Sequence, residues 1–175
     1  MSGVQRVQEA DDLPLIAVVD VSGSIQSFAD LGVDDLGQPI GIEDAARGFL
    51  SRGMAEKKDD DRIGVIAFDG QSSVVAAPSR ASVLDRSLNR VEIDGSDLTG
   101  AINQARSLVP ADSNARIVVF SDGRSTSPGL ERVPGDVQID VVPIRYAIDN
   151  EVIVESIEVP TRALPGAQIE ARVVI

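Results

Sequence analysis

Three short runs of almost unbroken apolar residues constrain this chain most: Leu13 to Val19, Ile63 to Phe68 and Ile117 to Phe120. A strand with one wet face alternates apolar and polar residues, because successive side chains point to opposite sides. A run that is apolar throughout is a strand covered on both faces, as in a parallel sheet layered between helices. Helical spacing lies between the runs. Ile42, Ala45, Ala46, Phe49, Leu50 and Met54 recur on one face, with Glu43 and Asp44 suited to a first turn. Ala101, Ile102, Ala105, Leu108 and Val109 do the same, with Ser96 or Asp97 as cap and Pro110 as terminator. Ser79 is placed to cap a further helix through Val83, Leu84 and Leu88.

The remaining signals fill in the connections. Asp69-Gly70 marks a hairpin turn, with a short antiparallel return from Ser73 to Ala77. Val137 to Ile144 reads as another strand, and Ser127 to Val133 as a short helix at most, cut off by Pro134-Gly135. The expected fold class is α/β. It is a doubly wound, Rossmann-like sheet, mixed but mainly parallel, flanked by helices on both faces and bearing one antiparallel edge strand. This domain is expected over residues 1–148. Residues 149–175 contain two strand-like stretches, Val152 to Val159 and Ala167 to Ile175. They read either as the last strand or strands of the sheet or as the start of a truncated all-β domain. The abrupt end at Ile175 suggests a fragment of a longer protein.

Composition narrows the chemistry. Aromatics make up 3% of the chain against 43% hydrophobic residues, so the core is aliphatic. The formal charge of −12 opposes nucleic acid and anionic lipid surfaces. No apolar run approaches the length of a membrane span, so this stretch is expected not to insert directly into a membrane. Cysteine and histidine are both absent. That removes disulfides, thiolate nucleophiles, Cys/His zinc sites and histidine-based triads. A metal on this chain must be held by oxygen, which means Mg²⁺, with Mn²⁺ and Ca²⁺ as alternatives.

Oxygen donors collect at three element ends. Asp20-Val21-Ser22-Gly23-Ser24 follows the first apolar run, Gly95-Ser96-Asp97 precedes the helix at Leu98, and Ser121-Asp122-Gly123 follows the third run. Open α/β sheets bind ligands outside the carboxyl ends of their strands, where the strand order reverses. Asp20, Ser22, Ser24, Ser96 and Asp122 are all hard donors of the kind Mg²⁺ requires. If the hydroxyls bind directly and the carboxylates act through water, the ion keeps much of its charge. A carboxylate from a partner can then complete its shell.

The motif Asp20-Val21-Ser22-Gly23-Ser24 resembles the Asp-x-Ser-x-Ser metal-ion-dependent adhesion site of von Willebrand factor A domains. Ser121-Asp122-Gly123 is similar to that family's Thr/Ser-Asp-Gly motif, and Ser96 falls at the family's intervening Thr, with Thr99 a weaker candidate inside the helix. The resemblance runs over about residues 13–145. It implies Ser22, Ser24 and Ser96 as direct metal ligands, with Asp20 and Asp122 acting through water. It further implies a non-enzymatic protein-binding module for a partner presenting Asp or Glu, of the bacterial type, in some members an extracytoplasmic part of a membrane-anchored protein.

Other readings of the same residues stay open. A Mg²⁺-dependent phosphohydrolase using Asp20 is one, although enzymes that begin with a strand and an Asp normally carry a second Asp where Ser22 stands. A structural domain with an empty metal site is another. Asp59 to Asp61 with Asp30, Asp34 and Asp35 read as a second cation site or, more simply, as solvated acidic loops. Gln26 to Ile40 reads as a surface loop, placed to shape partner specificity.

Overall fold

The computed structural model describes residues 13–55, 58–81, 87–88, 93–110, 113–129, 137–146, 156–162, 164–166 and 168–174. The apolar runs form strands β1 (Pro14–Asp20), β3 (Arg62–Phe68) and β5 (Arg116–Ser121). β4 (Ser72–Ser79) returns antiparallel along β3, and β6 (Gln138–Pro143) runs parallel to β5. The order in the sheet is β4-β3-β1-β5-β6, with β1 parallel to both β3 and β5. This is the expected mixed, mainly parallel sheet with an antiparallel edge. The chain builds outward from β1 to β3 on one side and then crosses to β5 on the other, so the order reverses at β1/β5.

The period of two decides which side chain meets which helix. Ala17, Val19, Val65, Ala67, Val118 and Phe120 point to one face, where Ile42, Ala46 and Leu50 of α2 (Ile42–Ala55) pack on them. Ile16, Val18, Ile66, Phe68, Ile117 and Val119 point to the other, against Leu98, Ala101, Ile102 and Ala105 of α3 (Leu98–Ser107). Phe120 meets Phe49 edge to face at 5.2 Å between ring centroids, an arrangement favoured by the ring quadrupoles. Every one of these strand residues is buried, so each valine, isoleucine and phenylalanine side chain contributes about 1.5–3 kcal/mol, and the alanines less.

Three local readings differ from the structure. Gln26 to Ile40 reads as a surface loop, yet a short helix, α1 (Gly23–Phe28), runs into it and a strand, β2 (Ala29–Asp30), lies within it. Six residues are too few to display helical periodicity, and β2 exists only because Ala29 and Asp30 pair with Tyr146 and Arg145 of β7 (Arg145–Tyr146). α3 ends at Ser107, before the Pro110 terminator. Ser127 to Gly129 is not helical, and residues 130–133 of that expected short helix lie outside the described residues. The helix expected after Ser79 likewise falls largely outside them, at 82–86 and 89–92. In the tail, β8 (Ser156–Glu158) and β9 (Arg172–Val174) pair with each other in a separate two-stranded sheet.

Candidate metal centre

The reversal of strand order opens a crevice of about 540 Å³ at the carboxyl end of the sheet, lined in part by Ser22, Ser24, Ser96 and Asp122. Asp20 lies directly beneath, 0% exposed at the last position of β1. All five expected residues therefore meet at one end of the molecule, four on the wall and one under the floor.

Each is held by a specific bond. Asp20 Oδ1 accepts from the Ser22 amide at 3.1 Å, and Oδ2 accepts from Ser121 Oγ at 2.9 Å. The second bond joins β1 to β5 across the switch point. Burial pushes the Asp20 carboxyl above its usual range, and Asp122 adds to the rise, while the bonds from Ser22 and Ser121 oppose it. Ser22 occupies the N-cap of α1, where a serine ordinarily caps the helix with its side chain. Here it makes no such bond. Its hydroxyl stands instead 3.2 Å from Ser24 Oγ.

Ser96 reaches the crevice because two loops are lashed together. Its amide donates to Thr126 Oγ1 at 2.9 Å, its carbonyl accepts from the Thr126 amide at 2.9 Å, and its hydroxyl donates to the Arg124 carbonyl at 3.2 Å. Asp97, next in the chain, caps α3 by accepting from the Gly100 amide at 3.0 Å. Thr99 sits within α3, and its hydroxyl is buried without a hydrogen-bond partner, so the cap and the crevice-facing hydroxyl belong to Asp97 and Ser96.

Asp69 and Tyr146 are parts of this construction that the sequence did not single out as site residues. Asp69 looks like turn chemistry only, but it is buried and accepts from the Ile93 amide at 2.9 Å. Its carbonyl also accepts from the Asp97 amide at 2.6 Å, so it anchors both flanks of the Ser96 loop. Gly70 matters for the same reason: a Cβ there would lie 2.5 Å from the Asp94 carbonyl oxygen. Tyr146 donates its hydroxyl to Asp122 Oδ2. Desolvation first and the Asp122 bond second raise its phenol above the usual value, partly offset by a hydrogen bond from Ser24. Its one advance signal is that it is the single tyrosine of the chain, just past a strand end.

The acidic loop residues with shown partners are held in turns or in an ion pair. Asp34 Oδ1 accepts from the Leu36 and Gln38 amides, Asp61 from the Leu13 and Lys58 amides, and Asp60 pairs with Arg80 at 2.6 Å. Among the described residues no cluster of three or more Asp and Glu side chains is placed to hold a metal.

The site's donors fit a hard cation in kind, and the Ser22–Ser24 pair fits it in spacing. Neighbouring ligands at about 2.1 Å from Mg²⁺ in an octahedron stand about 3.0 Å apart, close to the 3.2 Å between the Ser22 and Ser24 hydroxyls. The cationic side chain on the crevice lining, Arg124, lies at its lip with 83% exposure, 3.9 Å from Asp122, and does not fill it.

A family model for the von Willebrand factor type A domain matches residues 15–124. The chain belongs to this family. Von Willebrand factor A domains are in general protein-interaction modules. The match spans the Asp-x-Ser-x-Ser motif through Ser121-Asp122-Gly123, which is the part of the chain that builds the crevice. Solved structures share the fold. Against BatB, a conserved hypothetical protein of Bacteroides thetaiotaomicron, the identity is 20% and the TM-score 0.57, over 75% of this chain and 65% of that one. An aerotolerance-related membrane protein of Bacteroides fragilis is 19% identical with TM-score 0.56, over 92% and 81% of the two chains. The ArnB paralog VWA2 of Sulfolobus acidocaldarius is 16% identical with TM-score 0.52, over 74% of this chain and 34% of that one. This A domain thus spans under two thirds of the BatB structure. No curated protein matches it in sequence. Among the described residues no helix is long and apolar enough to cross a membrane.

Proposed function

We propose that this von Willebrand factor A domain is a non-catalytic module that binds a protein partner through a metal-ion-dependent adhesion site. The ion is Mg²⁺, with Mn²⁺ or Ca²⁺ as substitutes, and the partner presents an Asp or Glu side chain. The observation that carries this reading is the convergence of Ser22, Ser24, Ser96 and Asp122 on one crevice over buried Asp20. Ser22, Ser24 and Ser96 would hold the ion, and Asp20 and Asp122 would orient the hydroxyls and bound water. When bound, the cation supplies an unsaturated positive centre for a carboxylate. Electrostatics make that centre necessary. The chain carries −12, and Asp94 and Asp122 line the crevice, so the bare site repels an acidic partner.

The phosphohydrolase reading fares worse against the geometry. A nucleophilic aspartate needs an oxygen open to substrate, whereas Asp20 is fully buried and both its oxygens accept hydrogen bonds. The membrane-anchored bacterial parent remains part of the proposal. It draws on the fold shared with the B. fragilis membrane protein, and fractionation of cells expressing the parent gene tests it.

The test of function is titration calorimetry with Mg²⁺ and Mn²⁺ on wild type and on the Ser22→Ala, Ser24→Ala double variant. Wild type should bind one ion, and the double variant should bind none while keeping its far-ultraviolet circular dichroism. Phosphoester turnover that disappears in Asp20→Asn would favour the enzyme instead.

A further inference from the structure

Tyr146 lies outside every motif that builds the crevice, yet it bonds to Asp122 in one of them. The pairing of Ala29 with Tyr146 sets β7 beside the residue that follows α1, the helix that carries Ser24. The ring is fixed from two sides: Phe28 stands edge-on at 6.3 Å between centroids, and the Arg124 guanidinium lies 5.7 Å from the ring centroid. So held, the phenol hydroxyl donates to Asp122 Oδ2. Ring and hydroxyl together therefore join the chain segments that follow β1 and β5. Asp122 Oδ1 accepts from the Arg124 amide at 2.9 Å. Both carboxylate oxygens thus have a fixed donor, and turning the carboxylate breaks a bond. The Asp122 side chain is 9% exposed, so water is a poor replacement for a lost donor.

We propose that Tyr146 is a positioning residue of the metal centre, whose hydroxyl holds Asp122 in the arrangement that receives the cation. The inference rests on the metal-binding reading above. It assigns to Tyr146 the part played by groups that hydrogen-bond the residues around a metal, whose removal weakens affinity by about tenfold to a hundredfold. Tyr146 is not required to touch the ion. It acts through Asp122, and its ring packing is separable from its hydroxyl.

The separation gives the test. Tyr146→Phe keeps the ring between Phe28 and Arg124 and deletes only the hydroxyl. Calorimetric titration with Mg²⁺ and with Mn²⁺ should show the dissociation constant raised by about tenfold to a hundredfold, with the melting temperature in EDTA a few degrees below wild type and an unchanged far-ultraviolet circular dichroism spectrum at the assay temperature. A second readout comes from the composition: with one tyrosine and no tryptophan, the emission of the wild-type chain reports this phenol alone. Its hydrogen bond to a carboxylate quenches that emission, so saturation with Mg²⁺ should change it along the same curve as the calorimetric heat. A Tyr146→Phe constant equal to wild type overturns the proposal and leaves metal binding intact. So does weakened binding in Tyr146→Leu but not in Tyr146→Phe, which would assign the effect to the ring. Wild type giving neither heat nor an emission change with either ion sinks the metal reading itself.

Discussion

Asp20 is a carboxylate with no exposure at the carboxyl end of the central strand of a five-stranded sheet, and replacing it should make the metal-free fold more stable. Desolvating such a group costs several kcal/mol in a real protein interior. Against that stand two hydrogen bonds, from the Ser22 amide and the Ser121 hydroxyl. Bonds to a charged group contribute about 1.5–3 kcal/mol each, against about 0.5–1.5 kcal/mol for neutral pairs. In Asp20→Asn the amide oxygen can accept from Ser22 and the amide nitrogen can donate to Ser121 Oγ. The variant gives up roughly 2 kcal/mol of bond strength and sheds the larger ionic penalty, for a net gain of about 1–3 kcal/mol. At this chain length each kcal/mol moves the melting temperature by about 2–4 °C. Differential scanning calorimetry in EDTA should show Asp20→Asn melting several degrees above wild type. In Mg²⁺ the order should narrow or reverse, because a ligand at a hundredfold its dissociation constant adds about 2.7 kcal/mol to the wild type alone. A variant that melts below wild type in EDTA refutes the reasoning, since the carboxylate would then be a net structural asset and not a charge held for a ligand.

Other consequences are separable from this one. Ile66→Ala, at a fully buried position facing α3, should destabilise by about 2–5 kcal/mol in urea unfolding without altering metal affinity per folded molecule. Asp97→Ala removes the cap of α3 and should lose about 1 kcal/mol, with a further weakening of Mg²⁺ binding because Ser96 is its neighbour. Gly70→Ala pushes a methyl group against the Asp94 carbonyl and should lower metal affinity through the Ser96 loop, read by the same calorimetric titration.

The fold was legible because its strands are covered on both faces. Ile16 to Val19 and Ile63 to Phe68 leave no polar position for water, and that pattern admits few architectures. The two sides of the crevice were legible as well, since Asp20 to Ser24 and Ser121 to Gly123 are local motifs at strand ends. What the sequence hid is non-local. α1 is too short to show a period, and β2 is defined only by its pairing with residues more than a hundred positions away. Asp69 looks like an ordinary turn residue until Ile93 and Asp97 are seen bonding to it. Tyr146 carries no motif, because its role comes from where β7 lies beside α1 and the loop after β5.

The most direct measurement is the anomalous difference map of a crystal soaked in Mn²⁺. The account predicts one strong peak in the crevice, at about 2.0–2.3 Å from the hydroxyl oxygens of Ser22, Ser24 and Ser96. Absence of a peak there at saturating Mn²⁺, or a peak only among the acidic turns around Asp34 or Asp60, would contradict it.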